Sequence, residues 1–123
     1  MNVVDSSGWL EYFANGHNAS FFAPAIEDTE HLIVPVITLY EVFKRTYQQR
    51  GENDALQVIV HMQQGTVIDV DVSLALEAAR ISADEKLPMA DSLILATAQR
   101  YQSILWTQDI DLQKFPNVQY VQK

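Results

Sequence analysis

Residues Pro88 to Asp109 read PMADSLILATAQRYQSILWTQD, and the fold follows from how this stretch divides. Pro88 suits a first helical turn, and Ile94, Leu95 and Ala98 stand three, four and seven residues beyond Asp91, a helical apolar stripe. At 104–106 the period changes to a short apolar run bounded by polar residues, the pattern of a buried strand. A helix feeding directly into a strand lies antiparallel to it, so its N-terminal turn sits over the strand's carboxyl end. The same alternation extends outward along the chain. Apolar runs at 2–4, 32–34, 67–70 and 118–121 are separated by segments of helical period at 8–14, 20–28, 36–49, 53–63 and 73–86, with 88–101 before the strand at 104. Parallel neighbours need crossover connections, so the order predicts an α/β domain whose mostly parallel sheet is covered by helices on both sides. Ligands in such sheets sit at the carboxyl ends of the strands.

The chain has 123 residues, 48% of them hydrophobic, with no repeat, linker or low-complexity tract, which predicts a single domain over 1–123. A chain of this length buries roughly 65–70% of its unfolded surface without disulfide or zinc support, and the absence of cysteine excludes both a disulfide framework and a cysteine-based zinc site. Eight basic against sixteen acidic residues give a formal charge of −8, so no broad basic surface for duplex DNA is expected of this chain alone. No basic leader followed by an apolar core and no run of about 18 apolar residues occurs, so no membrane contact and a cytoplasmic location are expected.

Four carboxylates converge on one sheet edge by topology. Asp5 follows the first strand, where it also suits a helix N-cap. Asp109 follows the strand at 104–106 and has Asp111 as a competitor, a turn acid being the alternative for either. Glu41 lies about one and a half turns into the helix beginning after Pro35, ~8 Å along the axis from the strand's end. There Thr38, Glu41, Arg45 and Gln48 read as a polar stripe opposite Val36, Tyr40, Phe43 and Tyr47, and Glu41 could instead pair with Arg45 on the surface. Asp91 suits the helix dipole, yet it also projects from the apolar stripe, with Ser92, Gln99 and Ser103 on the other side. An ionised group facing a core needs a partner, and four like charges need a cation among them. The oxygen-only donor set points to Mg²⁺ or Mn²⁺. His17, His31 and His61 lie at no metal-ligating spacing and read as surface residues.

At these residues the sequence resembles the PIN-domain ribonucleases, and within them the VapC-type toxins of type II toxin–antitoxin pairs. The resemblance spans essentially the whole chain. It is carried by Val4-Asp5-Ser6-Ser7 with Trp9-Leu10, by Ile37-Thr38-Leu39-Tyr40-Glu41-Val42, by Pro88-Met89-Ala90-Asp91-Ser92-Leu93-Ile94, and by Thr107-Gln108-Asp109-Ile110-Asp111. The family's four metal-binding acids match Asp5, Glu41, Asp91 and Asp109, and its accompanying hydroxyls match Ser6 and Thr107. The resemblance implies a three-layer α/β/α sandwich, a metal-dependent endoribonuclease, a homodimer, and inhibition by a cognate antitoxin whose C-terminal segment lies in a hydrophobic groove and approaches the acidic site.

The chemistry that suits these residues is hydrolysis of an RNA phosphodiester by an activated water, displacing the 3′-oxygen in line and leaving a 5′-phosphate. Asp5 and Asp109 are the first choice for direct ligands. Asp91 would serve a second ion or a coordinated water, Glu41 would act through water or orient the nucleophile, and Ser6 and Thr107 would hold a water or a phosphate oxygen. Lys44 and Arg45, with Arg50 on the same helix, are the candidate phosphate contacts, enough for a short and therefore selective RNA contact in tRNA or rRNA. Trp9, Leu10, Tyr12, Phe13, Phe21, Phe22 and Ile26 exceed what two short helices hide, and part of this surface is expected to form a groove for a partner peptide. Two other readings fit less of the sequence. A phospho-accepting receiver could use Asp69 or Asp71, but the first strand offers only one acid and no Lys stands just after Thr107; a catalytically silent binding module leaves the complete acid set unused.

Overall fold

The computed structural model describes residues 1–123. Five strands, β1 (Asn2–Val4), β2 (Leu32–Pro35), β3 (Thr66–Ile68), β4 (Ile104–Thr107) and β5 (Val118–Tyr120), form one sheet in the order β3-β2-β1-β4-β5. Every pairing is parallel, with Val3 level with Ile33 on one side and Leu105 on the other. Six helices connect the strands: α1 (Ser6–Phe13) and α2 (Ala19–Glu27), α3 (Val36–Arg50) and α4 (Glu52–Met62), α5 (Val72–Glu85) and α6 (Met89–Arg100). The chain moves outward from β1 to β3, then crosses back to β4 on the other flank of β1. The strand order therefore reverses between β1 and β4, and the crevice beyond their carboxyl ends is where open parallel sheets bind ligands. No helix is long and apolar enough to cross a membrane.

Strand alternation assigns the two faces. Val4, Leu32 and Val34 point to one side, where Trp9, Phe22, Ile26, Val42 and Met62 from α1 to α4 cover them. Val3, Ile33 and Leu105 point to the other, against Ile94, Leu95 and Ala98 of α6. Helix α5 then packs on the outside of α6 through Leu74 and Ala78 against Leu93 and Ala96. The result is the three-layer α/β/α sandwich expected from the sequence. The expectation that all five strands are buried on both faces holds for β2, but the edge strands β3 and β5 keep partly exposed positions.

Two helix faces differ from their sequence reading. The 88–101 helix was expected to be one-sided, with Ser92 and Ser103 away from the core. Both serines are buried, and every residue from Ser92 to Ala98 is covered, because α6 lies between the sheet and α5. On α3 the buried stripe is Thr38, Val42 and Thr46, whereas Tyr40 and Tyr47, assigned to the apolar face, are exposed. Thr38 can be buried because its hydroxyl donates to the Pro35 carbonyl at 2.7 Å.

Helix α1 crosses β1 and α2 at a point where only hydrogen fits. A Cβ on Gly8 would stand 2.7 Å from Val4 Cγ1 and 2.6 Å from Phe22 Cε1. Gly8→Ala is expected to destabilise the protein by about 1–3 kcal/mol, read as a lower urea midpoint at unchanged slope. Wild-type stability in that variant would show that α1 can move away from the sheet.

Candidate active site

Asp5 leaves the carboxyl end of β1 and caps α1, so its two sequence readings hold together. It is 3% exposed. Its Oδ1 accepts from the Gly8 amide at 2.9 Å and from Ser7 Oγ at 3.0 Å, while Oδ2 accepts from Thr107 Oγ1 at 2.5 Å. Thr107 ends β4, and the same hydroxyl oxygen accepts from the Asp109 amide at 2.9 Å. One side chain thus ties the exits of the two central strands together. Asp109 caps the short 3₁₀ turn at Ile110–Leu112, its Oδ1 accepting from the Asp111 amide at 2.9 Å. Asp111 itself is exposed and enters the cluster only through that amide.

Glu41 projects from α3 toward the same edge, where its Oε1 accepts from Ser6 Oγ at 2.5 Å. The alternative Glu41–Arg45 surface pair is not formed: none of the four ion pairs in the chain includes Glu41, Asp5, Asp91 or Asp109. Lys44 and Arg45 are exposed on α3, Lys44 Nζ lying 5.9 Å from the centroid of the Tyr40 ring. Asp91 is half-buried in the first turn of α6.

The acids are close enough to alter one another. Burial is the main force raising the Asp91 pKa to about 7, followed by the charges of Asp109, Asp5 and Glu41, and by a hydrogen bond to Asp109 that only protonated Asp91 can donate. Burial likewise raises Asp5; the hydrogen bonds from Thr107, Gly8 and Ser7 oppose this, and the charge of Asp109 adds to it. No Lys or Arg is paired within the group, so its charge is uncompensated by protein. A hard divalent cation fits that donor chemistry. The carboxylates do not close into a finished cage of three or more ligands. Mg²⁺ does not require such a cage, since it takes one or two carboxylates directly and completes its shell with water and phosphate oxygens.

The other sequence candidates fall elsewhere. Asp69 and Asp71 are exposed after edge strand β3, which β2 separates from β1. Asp71 caps α5 through the Leu74 amide and pairs with Arg100, and these contacts hold its carboxyl below the usual range. His31 pairs with Asp28 on the surface, and His61 packs edge-on against Tyr12 and Phe13. Of the aromatic surplus near the N-terminus, Trp9, Phe22 and Ile26 are core. Leu10 and Phe13 line a groove of about 350 Å³ with Ala14, Thr46, Arg50 and Val58, between α1, α3 and α4. Sequence reasoning missed Asn18 and Gln108, whose buried amides meet at 2.9 Å beside the site. Gln108 stood between two candidate residues, but nothing in the sequence links it to Asn18, ninety positions away.

A family model for the PIN domain matches residues 3–118. No curated protein matches the chain. Among solved structures, the chain is similar to a toxin–antitoxin complex from Klebsiella pneumoniae, with a TM-score of 0.81 at 21% identity over 97% of this chain and 96% of that one. It is also similar to a sarcin-ricin loop cleaving toxin from Mycobacterium tuberculosis, with a TM-score of 0.75 at 14% identity over 97% and 99% of the two chains. DNA-bound VapBC from Salmonella typhimurium gives 0.75 at 15% identity over 98% and 96%. At these identities the likeness is one of fold.

The clustering has a pH signature. Asp91 titrates near 7 in the folded chain against 3.8 for an ordinary aspartate, so between those values the folded state holds a proton that the unfolded state has released. Its contribution to stability is fully present below the lower value and is lost as pH rises through the upper one. In EDTA, Tm is expected to fall on the order of 5 °C between pH 5 and pH 8, to be restored at pH 8 by millimolar Mg²⁺, and to fall less in Asp91→Asn. A Tm that rises over that interval, or a slope unchanged in Asp91→Asn, would show that these acids do not share a field.

Proposed function

The chain belongs to the PIN domain family, and from that premise we propose that it is a metal-dependent endoribonuclease, acting as one domain over residues 1–123 in the cytoplasm as the toxin of a toxin–antitoxin pair. The observation that carries the reading is the gathering of Asp5, Glu41, Asp91 and Asp109 at the strand-order reversal, tied together through Thr107 and Ser6 with no ion pair to any of them; the raised pKa of Asp91 agrees with it. Asp5 and Asp109 would hold Mg²⁺ or Mn²⁺ directly, and Asp91 would hold a second ion or a coordinated water. A divalent cation bound there supplies a lowered pKa for water and withdraws charge from the phosphoryl group.

The remaining work falls to the chain's own groups. Thr107 holds the Asp5 carboxylate in one orientation, and it fixes the Asp109 backbone through the same oxygen. Ser6 aims Glu41 at the edge, where its free oxygen can accept a proton from the attacking water and orient it. Asp91 is the group whose protonation changes near neutrality, so its ionised form is available when positive charge enters the cluster. The products would be a 5′-phosphate and a 3′-hydroxyl.

A tRNA or rRNA target is supported by the similar Mycobacterium tuberculosis structure, which is described as cleaving the sarcin-ricin loop. Lys44 and Arg45, exposed three and four residues beyond Glu41 on α3, are the proposed phosphate contacts. An antitoxin partner is supported by the toxin–antitoxin complexes of similar fold, and the groove lined by Leu10, Phe13 and Val58 is its proposed seat. A homodimer is supported by the exposed apolar side chains Val72, Leu76 and Met89 on α5 and the start of α6.

Incubation with total cellular RNA and mapping of new 5′ ends tests the activity. Discrete cuts are expected in Mg²⁺ and none in EDTA. Asp5→Asn and Asp91→Asn should each lose more than the ~10–100-fold that follows loss of an outer-sphere partner, with circular dichroism unchanged. Binding of Mg²⁺ without cleavage of any RNA would favour the silent binding module. Leu76→Glu is expected to convert a dimer to monomer in sedimentation; a wild-type monomer would remove the dimer from the proposal.

A further inference from the structure

Beside the acids lies a buried pair of carboxamides that the chemistry above does not use. Asn18, just before α2, is 6% exposed, and Gln108, between Thr107 and Asp109, is 8% exposed. Asn18 Nδ2 donates to Gln108 Oε1 at 2.9 Å and to the Gln122 carbonyl at 3.1 Å. Gln108 Nε2 makes a longer contact of 3.5 Å to the Ser7 carbonyl. The Asn18 amide in turn donates to Glu11 Oε2 at 3.1 Å, which fixes Asn18 relative to α1. Four segments therefore meet: the entry of α1 that carries Asp5, the entry of α2, the exit of β4 that carries Asp109, and the chain after β5. The Val121 amide, donating to the Thr107 carbonyl at 3.0 Å, holds the last of these against the third.

Carboxamides buried at this depth are costly unless their directional bonds are made, whereas apolar residues of the same volume would pack without that condition. Geometry is what the amides add. Asp5 and Asp109 lie on separate strands, and Thr107 is the only side chain that bonds to both residues. We propose that Asn18 and Gln108 form a positioning clasp that fixes the Asp5–Ser7 segment against the Thr107–Asp109 segment and so sets the spacing of the two carboxylates for a divalent cation. This rests on the reading of those carboxylates as cation ligands.

The test uses Gln108→Met, which keeps the volume and removes the bonds, and Asn18→Ala, so that one remains if the other fails to fold. Met62→Ala serves as a control, because it removes a core side chain near the amino edge of the sheet. In the metal-free protein, amide hydrogen exchange is expected to quicken about tenfold at Asp109 and Gly8, the amides bonded to Thr107 and Asp5. At Leu74, capped by Asp71, it should change no more than in the control. Mn²⁺ affinity, followed by electron paramagnetic resonance, should fall about tenfold, and kcat on RNA should fall similarly with KM within about twofold. Uniform acceleration like that of Met62→Ala, or unchanged Mn²⁺ affinity, would overturn the clasp. If the wild-type protein neither binds Mn²⁺ nor cleaves RNA, the nuclease reading fails instead, and the exchange rates alone decide whether the clasp exists.

Discussion

Carboxylates gathered at one sheet edge repel one another, and most of this structure can be understood from where it places them. Asp5 caps α1, Asp91 stands in the first turn of α6, and Asp109 caps a 3₁₀ turn. Each lies where backbone N–H groups are unsatisfied and the local dipole favours negative charge. Glu41 lies further along its helix and is held by the Ser6 hydroxyl instead. The protein therefore offsets part of the repulsion with amides and hydroxyls while placing no Lys or Arg in the cluster. A basic side chain there would stabilise the chain by itself but would fill the position of the proposed cation.

That placement requires a parallel sheet. Only when β1, β2 and β4 run the same way do Asp5, the start of α3 and Asp109 emerge at one edge. Asp91 reaches it from the opposite direction, because α6 returns antiparallel over the sheet before entering β4. Burial of the middle of α6 between the sheet and α5 explains how its first turn can hold a half-buried acid at a fixed height: seven successive residues, from Ser92 to Ala98, are covered by neighbours on all sides. An amphipathic surface helix would leave Asp91 more freedom to turn to solvent, and its pKa would then return toward the ordinary value.

Much of this was legible in the sequence because it depends on order. Apolar runs alternating with helical segments dictate parallel strands, and acids next to strand ends are then brought together without knowledge of any packing detail. What could not be read depends on which neighbour covers which face. Thr38 and Thr46 read as polar and Tyr40 and Tyr47 as apolar by residue class, yet the small β-branched residues fit the close helix contacts and the tyrosines remain in water. The Asn18–Gln108 pair is likewise invisible beforehand, since two carboxamides ninety positions apart carry no periodicity.

Net charge appears at first to oppose an RNA substrate, because a chain at −8 repels phosphate. The distribution of charge matters more than the sum. Arg100 and Lys114 are tied to acids on α5, whereas Lys44 and Arg45 on α3 carry no ion pair and lie one turn beyond Glu41. A short basic segment next to the acid cluster offers few phosphate contacts, too few for the long electrostatic tracking that supports sequence-independent binding. On the proposed nuclease reading, affinity would come from the shape of a folded RNA feature or from bases splayed out of a loop. On the same reading, the acidity of the surface would act as a filter, rejecting extended strands whose charge it repels and admitting a compact feature with its scissile phosphate exposed.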